Sequence, residues 1–148
     1  MSVIDKAVLR DAPIQSDPFD HVIAPGLVRD AYLSAVHRDF PKIDGPGSVP
    51  LLALKFGPTF GELIESMRSV EFAEIFSEKF DLDLKDRPTM VTVRGRCRAR
   101  DGRIHTDSRE KLVTVLLYLN PVWENQGGRL RLFRKPDDIE DFQAEVTP

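Results

Sequence analysis

Ile104-His105-Thr106-Asp107, running on through Leu117-Tyr118-Leu119-Asn120 and the Gly127-Gly128 pair to Leu130-Arg131-Leu132-Phe133, is the stretch that decides how this chain is read. A histidine and an aspartate two apart on a β-strand point to the same face. His105 and Asp107 can therefore offer one imidazole nitrogen and one carboxylate oxygen to a single metal ion. That supplies two members of the two-histidine, one-carboxylate facial set that suits non-heme Fe(II) and leaves open positions for a co-substrate and O2. The other histidines, His21 and His37, lie far upstream.

The residues that follow have a period of two. Val113, Val115, Leu117 and Leu119 form an all-apolar set, the natural packing face, while Thr114, Leu116 and Tyr118 form the other. An apolar wall carrying two hydroxyls suits a small dicarboxylate beside a metal. The spacing also allows a plainer reading, in which His105 is a hydrogen-bonded surface histidine and Tyr118 a core tyrosine.

Working outward, the C-terminal part reads as strands and the N-terminal part as helices. After Pro88 a strand begins at Met90 and reaches about Ala99; Asp101-Gly102 marks a tight turn. Residues 103–107, 112–119 and 129–133 are the next strands. Upstream, Phe19 to Ile23 suggests a short strand, and Pro25-Gly26 opens a helix over Leu27 to Phe40 that Pro41 ends. Gly45-Pro46-Gly47 places Ile43 to Val49 in a loop. Phe60, Leu63, Ile64 and Met67 predict a helix over Thr59 to Met67. Val70, Phe72, Ile75 and Phe76 predict another over Val70 to Phe80, with Ser69 as its cap and Glu71 and Glu74 suiting its dipole. Helices first and antiparallel strands afterwards indicate an α+β domain, with residues 1–88 as helical support and 89–148 as the first strands of a sheet or barrel.

Composition sets outer bounds. The 148 residues, 41% hydrophobic and 30% charged, are enough for a single domain with a real core. A net charge of −3 gives no general attraction to nucleic acid or an anionic membrane. The lone Cys97 excludes an internal disulfide framework and reads as a small buried hydrophobe. Neither a membrane-spanning run nor a signal-peptide core is evident, so the expected location is cytoplasmic. Arg94, Arg96, Arg98 and Arg100 share one face of their strand, as a solvated row paired with the acidic loop Pro136 to Asp141 or as a patch for an anionic substrate. Trp123 reads as either a rim of the site or a hinge anchor.

Gly102-Arg103-Ile104-His105-Thr106-Asp107-Ser108, Lys111-Leu112-Val113-Thr114, Leu117-Tyr118-Leu119-Asn120-Pro121-Val122-Trp123 and Gly127-Gly128-Arg129-Leu130-Arg131-Leu132 together resemble the core of the Fe(II)/2-oxoglutarate-dependent dioxygenases, in their prolyl 4-hydroxylase-like branch. Four elements over about 45 residues match in order and spacing. The resemblance implies a double-stranded β-helix, or jelly roll, incomplete at its C-terminus and backed by the N-terminal helices. It implies His105 and Asp107 as iron ligands, Tyr118 on the 2-oxoglutarate carboxylate, Thr114 and Leu116 lining its pocket, and Leu130 or Leu132 near the iron. The cofactors implied are Fe(II), 2-oxoglutarate as co-substrate, and ascorbate as accessory reductant. The activity implied is hydroxylation of a small-molecule, protein or peptide substrate, with succinate as co-product.

The family's second iron-binding histidine and the basic residue for the co-acid fall beyond the region equivalent to Glu145-Val146-Thr147-Pro148. The expectation is therefore an N-terminal portion of a longer enzyme, inactive alone and able to associate through an exposed sheet edge. The competing reading, a non-catalytic jelly-roll binding or interaction module, is distinguished by the absence of that downstream histidine and arginine.

Overall fold

Apolar spacing places the helices of the N-terminal part. In the computed structural model, which describes residues 1–96, 103–124 and 127–148, these are α1 (Lys6–Asp11), α2 (Asp30–Asp39), α3 (Pro58–Met67) and α4 (Val70–Phe80). The strands are β1 (Ser48–Pro50), β2 (Thr92–Arg94), β3 (Leu130–Phe133) and β4 (Phe142–Val146), forming two antiparallel pairs, β1 with β2 and β3 with β4. The chain divides into two compact units, Met1–Ala12 with Ala24–Arg98, and Pro13–Ile23 with Ala99–Pro148.

The first unit holds the apolar core. Phe60, Leu63 and Ile64 of α3 and Phe72, Ile75 and Phe76 of α4 are buried, as their i, i+3, i+4 spacing requires, and Val36, Leu9, Ile4 and Val93 join them. The Phe60 ring meets Phe40 and Phe56 edge to face, with centroids 5.3 and 5.4 Å apart. The Ser69 hydroxyl caps α4 by accepting from the Phe72 N–H at 3.2 Å. Glu71, in the first turn of α4, also accepts from Lys6 at 2.5 Å and Arg10 at 2.8 Å, tying α4 to α1. Lys79 does the same from the other end, donating to the Arg10 and Ala12 carbonyls that α1 leaves unpaired.

The corner between α2 and α3 closes on Asp39. Its carboxylate accepts from the Thr59 N–H at 2.7 Å and the Arg38 guanidinium at 2.9 Å, and its carbonyl accepts from the Gly57 N–H at 2.9 Å. A Cβ at Gly57 would lie 2.5 Å from the Asp39 Cγ, so only glycine fits there. The Arg38 guanidinium, and next the Thr59 N–H, hold the Asp39 carboxyl below the usual carboxylate range.

Several sequence expectations shift. The helix expected from Leu27 begins at Asp30, because Val28 forms an antiparallel bridge with Ile4 and the Asp5 N–H donates to the Leu27 carbonyl. The Ile43 to Val49 loop gives its last two residues to β1, since Val49 pairs with Val93. Short helix α1 and strand β4 were unforeseen; the alternation of Phe142, Ala144 and Val146 with Gln143 and Glu145 is the signal that identifies β4. The strand expected from Met90 is only Thr92–Arg94 over its described part, and Phe19 to Ile23 reduces to a bridge between His21 and Gln15. The Arg94 guanidinium donates to the Ser48 hydroxyl at 3.0 Å, while Glu140 of the acidic loop pairs with Arg131 at 3.1 Å. The Ala99 strand end, the Asp101-Gly102 turn, Cys97, Arg98, Arg100 and the end of the loop after Trp123 lie outside the described residues.

In the second unit the larger correction concerns residues 103–107 and 112–119, expected as strands. Among the described residues they carry no strand ladder. A strand exists only where its N–H and C=O groups pair with a neighbour, and apolar alternation cannot supply that partner. The alternation itself survives: Val113, Leu117 and Leu119 are partly covered, while Thr114, Leu116 and Tyr118 are exposed. Val115, expected with the covered set, is exposed too. Among the described residues of this unit no apolar side chain is fully buried, and Leu112, Leu116, Val122 and Ile139 stand exposed. The β3–β4 hairpin is held by polar contacts. Arg131, opposite Glu145 in the register, donates to it at 2.7 Å and stacks over the Phe142 ring at 4.4 Å from its centroid. Arg134 forms a two-pronged pair with Asp17, which holds the Asp17 carboxyl below its ordinary range.

Two stability measurements check this. Leu63 has no exposed surface, so Leu63→Ala should cost about 3 kcal/mol in denaturant unfolding; a change within experimental error would remove α3 from the core. Asp39 has a lowered folded-state value, so its contribution is complete above the unfolded carboxylate value of about 3.9 and is lost as pH falls through the folded value. Asp39→Asn should therefore flatten the fall in melting temperature below about pH 4, and an unchanged slope would contradict the ion-pair and cap assignment.

Candidate metal centre

The site is built from one short segment. Residues 103–107 run without helical turns, and His105 and Asp107 send their side chains to the same side, with Nε2 of His105 3.8 Å from Oδ1 of Asp107. A turn follows in which the Lys111 N–H donates to the Ser108 carbonyl at 3.0 Å, reversing the chain. That reversal returns Thr114 to the end of the segment, where its hydroxyl donates to Oδ2 of Asp107 at 2.5 Å. Lys111 places its ammonium 3.9 Å from Oδ1.

The imidazole has a defined polarity. His105 Nδ1 lies 2.8 Å from the Arg103 carbonyl oxygen. A carbonyl only accepts, so Nδ1 carries a proton, and Nε2 is the nitrogen turned toward Asp107. Metal-binding histidines are commonly oriented in this way, one nitrogen donating to a carbonyl and the other left for the ion. The side chains are 68% exposed for His105 and 38% for Asp107, so the pair faces solvent and has room to adjust.

The two donors fit a divalent ion. Ligand atoms about 2.1 Å from one ion and at right angles to each other lie about 3.0 Å apart. The 3.8 Å separation therefore has to close by about 0.8 Å, within reach of small side-chain rotations in exposed residues. Among the described residues no group of three or more His, Cys, Asp or Glu side chains gathers to hold a metal. His21 is buried, with Nδ1 2.8 Å from the Phe19 carbonyl and its ring edge to face with Phe19; Nε2 has no hydrogen-bond partner among the described residues. His37 lies in the last turn of α2.

Of the residues expected around the co-substrate, Thr114 is drawn onto Asp107, a contact that strand parity alone does not reveal. Leu116, 57% exposed, and Tyr118, 38% exposed, follow it on the exposed set. Leu130 and Leu132 lie on β3, opposite Val146 and Ala144. Lys111 was not expected at the site; a lysine four residues past Asp107 within a turn was the available signal. The Trp123 indole N–H donates to the Gly127 carbonyl at 3.1 Å. Gly128, at φ +78°, admits no side chain because a Cβ would come 2.6 Å from the Trp123 ring.

The tautomer is directly measurable. Nitrogen chemical shifts of the neutral His105 ring should show the Nδ1–H tautomer, whereas an Nε2–H pattern would mean that the Arg103 carbonyl does not orient the ring.

No family model matches the chain, and neither a curated protein nor a solved structure matches it. Among the described residues no helix is long and apolar enough to cross a membrane.

Proposed function

We propose that this chain carries the iron-binding face of a Fe(II)- and 2-oxoglutarate-dependent oxygenase of the prolyl 4-hydroxylase-like kind, on a jelly-roll scaffold. The observation that carries the reading is the convergence of His105 Nε2 and Asp107 Oδ1, 3.8 Å apart with Nδ1 engaged by a backbone carbonyl. His-x-Asp is a short motif that can arise by chance; a pair whose free donor atoms also meet on one side fits the chemistry that the surrounding sequence resembles. Bound Fe(II) would supply the O2-dependent oxidation of a C–H bond, coupled to decarboxylation of 2-oxoglutarate to succinate.

The chain's own residues have assignable tasks. His105 and Asp107 would hold the ion, and the Arg103 carbonyl sets which imidazole nitrogen would face it. Leu116 offers apolar wall and Tyr118 a hydroxyl for the carboxylate of the co-acid. The resemblance further implies a third ligand and a basic partner for the co-acid. A small-molecule, protein or peptide substrate, ascorbate as accessory reductant and a cytoplasmic setting belong to the same proposal.

Succinate formation from 2-oxoglutarate with added Fe(II) tests it, in the 148-residue chain and in a protein extended past Pro148. The extended protein should turn over, His105→Ala and Asp107→Ala should abolish turnover, and Tyr118→Phe should raise the 2-oxoglutarate requirement with little effect on stability. The 148-residue chain should be inactive. Turnover that survives His105→Ala, or an extended protein without turnover, would discard this function in favour of a binding module.

A further inference from the structure

Asp107 has two oxygens in different situations. Oδ2 accepts the Thr114 hydroxyl at 2.5 Å, whereas Oδ1 faces His105 Nε2 at 3.8 Å and the Lys111 ammonium at 3.9 Å. A carboxylate on a free side chain would rotate about its Cβ–Cγ bond and present either oxygen, or both, to a cation. With the hydroxyl on Oδ2, that rotation is stopped. The oxygen left over is the one on the side of His105.

We infer that Thr114 is a positioning residue: its hydroxyl locks the Asp107 carboxylate so that Oδ1 alone is presented to a divalent ion shared with His105. The inference rests on the reading of His105 and Asp107 as ion ligands, and it moves Thr114 from the wall of a co-substrate pocket to the outer shell of the ion. The lock depends on the local turn at Ser108–Lys111, since that reversal brings residue 114 back to residue 107. Lys111 contributes differently. It sits on the same oxygen as the ion would, at a distance and exposure where a charge pair is weak, so it yields to a divalent cation.

Thr114 is exposed and, among the described residues, outside any strand ladder, so replacing it leaves the apolar core untouched. Thr114→Val keeps the shape and the net charge and removes the hydroxyl; Thr114→Ser keeps the hydroxyl. Mn(II) affinity of the 148-residue chain, measured by electron paramagnetic resonance of the free ion, would be compared in the native protein, both Thr114 variants and His105→Ala. Expected is a loss of about 10-fold or more in Thr114→Val, the range found when an outer-shell partner of a metal ligand is removed, with affinity restored in Thr114→Ser. Equal affinity in the native protein and Thr114→Val would overturn the lock while leaving the ion site standing. Equal weakening in Thr114→Val and Thr114→Ser would also overturn it, because the hydroxyl would not be the agent. Native binding no tighter than that of His105→Ala would instead remove the ion site, and the lock with it.

Discussion

The helical unit turns on one carboxylate. Asp39 ends α2, and α3 begins where its oxygen takes the Thr59 N–H, one of the donors that a helix start leaves unpaired. The same residue's carbonyl binds the Gly57 N–H, and the space this needs leaves no room for a side chain at position 57. The angle between the two helices is thereby fixed at its base. From that corner, Val36 of α2 and Phe60, Leu63 and Ile64 of α3 become buried together, and the Phe40 ring closes on Phe60. Arg38, though largely exposed, keeps the carboxylate ionised; without a charge on Asp39 the corner would retain its packing and lose its strongest hydrogen bonds.

The second unit is organised by a different balance. Its described apolar side chains are at most partly covered, so the hydrophobic effect contributes much less per residue there than in the helical unit. Directional contacts take over. Arg131 is held by Glu145 across the hairpin, by Glu140 and the Ile139 carbonyl in the connecting loop, and by the face of Phe142. The Asp17–Arg134 fork attaches the segment around Pro18 to the same hairpin. Exposed ion pairs each add little to stability, but a two-pronged arginine–carboxylate contact fixes geometry well.

The candidate site needs little of that framework. His105, Asp107, Lys111 and Thr114 lie within ten residues and are brought together by one turn, so the local chain is enough to place them. A site this local is easily assembled and exposed on one side, and two protein donors leave most of an ion's coordination shell to other groups. The contrast with His21 is one of burial: the same ring, with the same backbone-carbonyl contact at Nδ1, is buried against Phe19. What distinguishes the two histidines is the carboxylate two residues on from His105 and the exposure that lets a cation reach both.

How much could be read in advance follows the range of the forces involved. Helices α3 and α4 and the Ser69 cap were legible because a 3.6-residue apolar period and a capping side chain act within a few residues. The His105–Asp107 pairing was legible because residues two apart in extended chain share a side whether or not a ladder forms. Strand ladders over 103–107 and 112–119 are absent among the described residues, since alternation states which side chains prefer cover and says nothing of a hydrogen-bonded neighbour. Leu27 and Val28 were assigned to a helix that gives them up to Ile4 and Asp5, partners more than twenty residues away. Sequence by itself thus determined the two α-helical faces and the shared side of His105 and Asp107. Tertiary structure alone decided that Asp39 caps a helix twenty residues on, that Thr114 turns back onto Asp107, and which extended segments find a partner, because each depends on groups that the folded chain must first bring together.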